Sequence, residues 1–253
     1  MKTGCVLVVP CYNEAHRFAA KEFRAFLSQR TGTSLVFVDD GSTDDTLALL
    51  KQLQAQVPER VDVLSLSRNV GKAEAVRNGL RRALEFPNVS SAGFWDADLA
   101  TPLSAVDDLL TVMTNDAEIQ MVFGSRVKLL GRKIERRPLR HYLGRVFATC
   151  ASIVLKLPVY DTQCGAKLFR ATPDLAAVLR DPFCSRWIFD VEIIARFLQL
   201  YGGTSPRRNL SQAIYEFPLY CWRDIPGSKV RPGDFLKAIR DLIVIHRRYL
   251  RHL

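Results

Sequence analysis

The chain has no long apolar run. Its longest quiet apolar stretch, VFATCASIVL at Val146–Leu155, falls well short of the roughly 20 residues that cross a bilayer, so no spanning segment is expected. Cysteine pairing is missing too. Cys5, Cys11, Cys150, Cys164, Cys184 and Cys221 are scattered without C-x-x-C spacing, and His16, His141, His246 and His252 share no metal-ligand spacing with them. A disulfide scaffold and a zinc module are thereby excluded. The opening residues carry no charged-then-apolar leader with a cleavage site, so the expected compartment is reducing and cytosolic. Internal repeats, low-complexity tracts and flexible linkers are also absent, and one continuous domain over residues 1–253 is expected.

Acid is the scarcer charge. The chain holds 36 Lys+Arg against 26 Asp+Glu, a formal charge of +10, which favours anionic partners: nucleotides, nucleic acid or an acidic membrane surface. With 253 residues, 48% of them hydrophobic, the chain buries a sizeable core, and disorder is excluded.

What is present is an alternation of strand-like and helix-like segments. CVLVVP (Cys5–Pro10), SLVFVDD, VDVLSLS, AGFWDAD and IQMVFGSR are short apolar or β-branched runs. Between them HRFAAKEFRAFLSQR, TDDTLALLKQLQAQV, KAEAVRNGLRRALEF and a segment from about Pro102 to Asn115 have helical spacing. This succession predicts an α/β fold with a mostly parallel sheet, helices on both faces, and a site at the carboxyl ends of the strands. After Arg126 the pattern breaks. VKLLGRKIERRPLRHYLGR reads as a basic loop, an amphipathic stretch follows from about Tyr142 to Leu157, and PVYDTQCG reads as a turn. The apolar helix RWIFDVEIIARFLQLYG, the strand AIYEFPLYCW and the basic helix GDFLKAIRDLIVIHRRYLRHL come last.

One stretch poses a chemical question. GFWDADLATP, Gly93–Pro102, ends an apolar strand on two aspartates separated by one alanine. In one reading Asp96 and Asp98 belong to the turn, with Thr101 capping the next helix and Pro102 at its first position. In the other they hold a divalent cation, because Mg2+ and Mn2+ prefer hard oxygen ligands and keep places open for phosphates.

Four strand-end motifs have to be explained together: VVPCYNEA at Val8–Ala15, VDDGSTDDT at Val38–Thr46, SRNVGKAEAVRNG at Ser67–Gly79, and the DAD of Asp96–Asp98. In this order and at these distances the set resembles family 2 glycosyltransferases of the GT-A fold. Downstream, GSR at Gly124–Arg126, DTQCGAKLF at Asp161–Phe169 and RWIFDVEI at Arg186–Ile193 resemble the polyprenyl-phosphate branch, which includes dolichyl-phosphate glucosyltransferases and mannose synthases. The resemblance covers about residues 5–230. It implies a Rossmann-like architecture, a nucleotide-sugar-binding half at 1–126, and an acceptor-side half at 127–253 whose basic amphipathic segments end in interfacial helices.

The resemblance also implies roles. Pro10, Tyr12 and Glu14 would line the nucleotide, although the same residues suit a plain strand-to-helix turn. One of Asp39 and Asp40 would accept a hydrogen bond from the base, while Ser42, Thr43, Asp44 and Asp45 could cap the following helix. Arg68 and Lys72 fall at a helix mouth, where a cation and free N–H groups both favour an anion. Asp96 and Asp98 would hold Mg2+ or Mn2+ against the diphosphate, allowing UDP or GDP to leave without a proton donor.

On the acceptor side a phosphate nucleophile is already largely ionised near neutrality, so placement matters more than a general base. Arg126 and Arg140 match the phosphate-holding positions of the mannose synthases, with Arg136, Arg137 and Arg145 as neighbours. The sequence departs from the pattern at Gly144, where a small hydroxyl residue is expected. Phe147, Ile153, Val154 and Leu155 would give an apolar face beside these cations, as an interfacial anchor needs; a solvated loop and packed core are the competing readings. Asp161, Gln163 and Lys167 would close the site over the sugar. Asp190 and Glu192 open an apolar helix, either as catalytic bases or as complements to its dipole.

Together these features predict inverting, metal-dependent transfer of a hexose from a nucleotide diphosphate sugar to a polyprenyl phosphate at the cytosolic face of a membrane. UDP-glucose is the favoured donor and GDP-mannose the other. An alternative keeps fold and donor but uses a soluble or polymer hydroxyl acceptor. A further alternative is a non-catalytic basic module binding nucleic acid or anionic membranes, which leaves the DAD carboxylates unexplained; no RNA- or DNA-binding motif appears, and nucleic acid is not an expected partner.

Overall fold

The β-branched runs pair into one twisted sheet. In the computed structural model, which describes residues 4–136, 138–202, 210–225 and 234–251 without the side chains at 138–141, 210, 211 and 234–236, the chain opens with β1 (Cys5–Cys11), α1 (Ala20–Ser28), β2 (Thr33–Asp39), α2 (Thr46–Gln56), β3 (Val61–Ser65), α3 (Lys72–Leu84), β4 (Ser91–Trp95), α4 (Ala105–Asn115) and β5 (Met121–Ser125). It continues with β6 (Lys133–Glu135), α5 (Pro138–Leu155), β7 (Ala166–Arg170), α6 (Pro173–Val178), α7 (Phe189–Gly202), α8 (Leu210–Ala213), β8 (Ile214–Pro218), β9 (Cys221–Arg223) and α9 (Asp234–Ile245), which runs on into a π-helical turn at His246–Leu250.

The seven-stranded sheet has the order β3-β2-β1-β4-β7-β5-β8. β1 pairs in parallel with β2 and β4, β2 with β3, and β5 with β8, whereas β7 runs antiparallel to both neighbours, β4 and β5. Consequently the carboxyl ends of β1, β2, β4, β5 and β8 share one edge with the entry to β7. Successive strand residues point to opposite faces. Val6, Val8, Val36 and Val38 join the core under α3 and α7, while Leu7, Val9, Leu35 and Phe37 join the core under α1, α2 and α4. Helices on both faces explain why the central strands are apolar throughout rather than alternating. On α3, Ala73, Val76, Leu80 and Ala83 form the buried stripe at helical spacing. α7 is buried almost all round through Phe197, as expected of a helix inside the fold.

Four local expectations change. The basic stretch read as loop contains β6, which pairs with β9 in a separate two-stranded sheet, and α5 begins within it at Pro138, a residue suited to a first helical turn. Lys167, expected to help close the site, lies on strand β7 (AKLFR), where Ala166–Phe169 are all buried. Thr101 does not cap α4, which starts at Ala105 with Ser104 before it; Thr101 is buried and its carbonyl accepts the Trp95 indole N–H at 2.8 Å. The apolar face proposed for α5 divides, with Phe147 and Leu155 in the core and Ile153 exposed beside Tyr142, Leu143 and Val146. Among the described residues no helix is long and apolar enough to cross a membrane.

Candidate active site

The shared strand edge opens into a cavity of about 740 Å³, roofed by α5, the start of α7 and α9. Its walls bring together most of the residues singled out by sequence. Pro10, Tyr12, Glu14, Asp40, Lys72, Asp96, Asp98, Arg126, Asp161, Gln163 and Asp190 all face it. Asp39, Arg68, Lys167 and Glu192 do not.

β4 delivers the DAD pair. The Asp96 carboxylate takes a 2.5 Å hydrogen bond from the Lys72 ammonium at the mouth of α3, and its backbone N–H donates to the Gly165 carbonyl at 2.9 Å. A Cβ on Gly165 would lie 1.8 Å from Asp96 Oδ2, so only glycine leaves room for this carboxylate. Asp98 folds back to accept the Ala100 N–H at 3.0 Å, in a turn that holds Leu99 at a φ of 52°. Burial and the neighbouring Asp96 charge raise the Asp98 carboxyl above its ordinary range. Two like charges forced together at the floor of a cavity, both hard oxygen donors, suit a divalent cation whose other positions are filled by water and substrate oxygens. Among the described residues no group of three or more His, Cys, Asp or Glu could hold a metal by itself. Glu14 also lines the cavity, tied to Arg17 with a 2.7 Å bond from Nη2.

The expected base-binding aspartates separate. Asp39 is buried, and its carboxylate makes a long 3.4 Å contact with the Ser42 N–H, so it braces the turn. Asp40 accepts the Val70 and Gly71 N–H groups at 2.7 and 2.9 Å, clamping the loop that leads into α3. Desolvation raises its carboxyl despite those bonds. Arg68 is exposed outside the cavity, because the Gly41 turn packs against the Arg68 and Asn69 backbone and Asn69 takes the wall position.

Opposite, Arg126 leaves β5 and is gripped by Asp161: Nε and Nη2 donate to the two carboxylate oxygens at 2.6 and 2.7 Å, and the guanidinium lies 5.2 Å from the Trp222 ring centroid. Burial pushes the Asp161 carboxyl up, but the Arg126 guanidinium overrides it and holds the carboxyl down at about 2. Glu216 on β8 supports the pair by accepting the Tyr160 and Asp161 N–H groups, each at 2.7 Å. Thr162 Oγ1 and Gln163 Nε2, in the same wall, are buried without a partner among the described residues. The side chain of Arg140 lies outside the described residues.

Lys167 lies beneath the cavity rather than over the sugar. Its ammonium is buried, donating to the Cys164 carbonyl at 2.5 Å and pairing with Asp190 at 2.7 Å. Desolvation raises Asp190, opposed by Lys167 and Lys72. Glu192 is no candidate base. Its carboxylate is fully buried, accepting the Cys184 N–H at 2.9 Å, the Ser185 N–H at 3.1 Å, the Tyr249 hydroxyl at 2.9 Å and the Arg196 guanidinium at 2.7 Å. Sequence reasoning passed over Gly165, Arg17, Trp222 and Arg186, all of which line the cavity. Of these only Arg17, three residues after Glu14, carried a spacing signal.

The profile of glycosyl transferase family 2 matches residues 6–177. The chain belongs to that family. This glycosyltransferase is 31% identical over 267 residues to the dolichyl-phosphate beta-glucosyltransferase of Saccharomyces cerevisiae, covering 96% of this chain and 74% of that one. It is 32% identical to the human protein of the same name, over 96% and 75% of the two chains. In fold it is similar to glucosyl-3-phosphoglycerate synthase from Mycobacterium tuberculosis solved with UDP, with a TM-score of 0.66, 18% identity, and 97% and 80% coverage of the two chains. The architecture is thus the Rossmann-like GT-A fold with additional C-terminal helices, as the motifs implied.

Proposed function

We propose that this glycosyltransferase carries out inverting, divalent-metal-dependent transfer of glucose from UDP-glucose to an acceptor that presents a phosphate, with a polyprenyl phosphate as the leading acceptor. The observation that carries the reading is the cavity's lining, which brings Asp96, Asp98 and Lys72 into one space with Arg126 and Arg136. Asp96 and Asp98 would hold Mg2+ or Mn2+, which supplies charge neutralisation for the departing diphosphate. The M. tuberculosis synthase solved with Mn2+ and UDP-glucose supports that donor and ion. Lys72, at the mouth of α3, meets the diphosphate with the helix N–H groups. Arg126, held rigid by Asp161, orients the acceptor phosphate for in-line attack on the anomeric carbon. Pre-placement of this kind contributes most to a nucleophile that needs no base.

The lipid acceptor is supported by the dolichyl-phosphate glucosyltransferases matched along nearly the whole chain, and by the exposed Tyr142, Val146, Ile153, Ile243 and Val244 on α5 and α9. Lys237, Arg240, Arg247 and Arg248 share that C-terminal region and are also exposed, giving the mix of apolar and basic groups that an anionic membrane surface binds. A second reading uses a hydroxyl of a soluble phosphorylated acid; the mycobacterial synthase is named for glucosyl-3-phosphoglycerate and was solved with phosphoglyceric acid. Asp190, a cavity carboxylate with a raised proton affinity, favours it. The test is direct. Purified protein with Mn2+ is given UDP-glucose and either polyprenyl phosphate in micelles or phosphoglyceric acid, and glucosylated product is followed. Asp98→Asn should abolish transfer and metal-dependent UDP binding with the fold intact; retention of most activity would remove the metal assignment.

A further inference from the structure

Gly144 and Arg136 meet at an unusual place on the acceptor wall. A Cβ built on Gly144 would lie 2.9 Å from Arg136 Nη2 and 3.9 Å from its guanidinium carbon, so the head of Arg136 occupies the notch that the missing side chain leaves on α5. Both residues line the cavity beside Tyr160, Asp161 and Gln163. Among the described residues Arg136 makes no hydrogen bond and no ion pair, although it is half-buried. Desolvation and the Arg126 charge both work against its cationic form. Asp161, the carboxylate whose charge works the other way, already has both oxygens on Arg126.

A half-buried cation without a partner is costly, and removing water from it is offset only when an anion arrives. The surroundings point the same way. Among the described residues Thr162 Oγ1 and Gln163 Nε2 are buried in this wall without partners, and a phosphate's several oxygens can accept from an amide, a hydroxyl and a guanidinium at once. We propose that Arg136, seated in the Gly144 notch, is a second phosphate-holding residue of the acceptor subsite, filling the place of the small hydroxyl that the sequence lacks, with Arg126 beside it. This rests on the reading of the cavity as an acceptor site, and the lipid and soluble acceptors share the phosphate it would hold.

The experiment compares wild type, Arg136→Ala, Gly144→Ser and the double variant. With UDP and Mn2+ present, phenyl phosphate is titrated against tryptophan fluorescence from the cavity residues Trp187 and Trp222; transfer from UDP-glucose is then measured against polyprenyl phosphate and against phosphoglyceric acid. Arg136→Ala should weaken phenyl phosphate binding and raise the acceptor KM about tenfold to a hundredfold, with kcat and UDP affinity little changed. Gly144→Ser should hurt the wild type by displacing the guanidinium yet improve the Arg136→Ala background, where its hydroxyl enters the vacated notch. The acceptor whose KM responds identifies the source of the phosphate. If the wild type glucosylates neither acceptor while phenyl phosphate binding still depends on Arg136, the acceptor identities fail and the phosphate site stands. If phenyl phosphate binds Arg136→Ala as it binds wild type, or binds neither, the assignment is overturned.

Discussion

Asp161 holds Arg126 in a bidentate pair and also accepts the Arg126 backbone N–H at 3.1 Å. The carboxylate thereby fixes both the side chain and the strand end that carries it, so part of the Arg126 charge is already balanced before any acceptor arrives.

The first prediction concerns acid. The Asp161 carboxyl is lowered from 3.8 to about 2 in the folded chain. A depressed carboxyl contributes stability that is present above its unfolded value and is lost as pH falls through the folded one. The contribution is about 2 kcal/mol above pH 4, fading towards pH 2. Denaturant unfolding of wild type and Asp161→Asn between pH 2 and pH 7 checks it. The gap between the two curves should close at the acid end, and a gap that persists there would contradict the pairing.

Gly165→Ala should act as a defect in Asp96. The added methyl collides with the end of the Asp96 side chain, so the carboxylate itself must move aside, and misplacement of a binding group by about 1 Å costs on the order of a hundredfold in rate. Calorimetry of UDP with Mn2+ should show weakened binding, with circular dichroism unchanged. Normal binding would mean that Asp96 is free to move.

Glu192→Ala should cost stability rather than catalysis. It leaves Arg196, a guanidinium with 7% side-chain exposure, without its carboxylate, and breaking a buried pair typically costs about 3 to 5 kcal/mol. Thermal melts should fall by many degrees. Activity per folded molecule at low temperature should survive, and its loss there would restore a catalytic role.

The strands, α3 and the DAD edge were legible because each depends on local pattern: β-branched runs, helical spacing, and acidic residues where an apolar run stops. The parts that were not legible depend on distant partners. Nothing in AKLFR announces that β7 runs against its neighbours, since its apolar pattern suits either direction, and its lysine is tolerated only because Asp190, far along the chain, meets it. Glu192 invited two readings, a base or a complement to the helix dipole, because a carboxylate on an apolar helix is conspicuous, yet Tyr249 and Arg196 absorb it. Gly144 looked like a deficit in sequence; only the fold brings Arg136 over it. Arg68 carried the right chemistry at the right spacing, and the Gly41 turn sends Asn69 to the wall in its place.

The last prediction separates the two acceptor readings through Asp190. If the acceptor is a hydroxyl, a base must take its proton, and removing a positioned base lowers kcat by about a hundredfold to ten-thousandfold. A phosphate nucleophile loses no such step, because its second proton is largely gone above pH 6. Asp190→Asn alone would strand the buried Lys167 ammonium, which has 1% side-chain exposure, so the informative variant is Asp190→Asn with Lys167→Met, which removes both charges. Transfer is then measured to polyprenyl phosphate and to phosphoglyceric acid across pH 5 to 9. Near-normal kcat with the lipid, and a rate that declines only as the acceptor phosphate protonates below about pH 6, support attack by phosphate. A hundredfold or greater loss of kcat with UDP affinity preserved assigns the proton to Asp190 and the reaction to a hydroxyl acceptor.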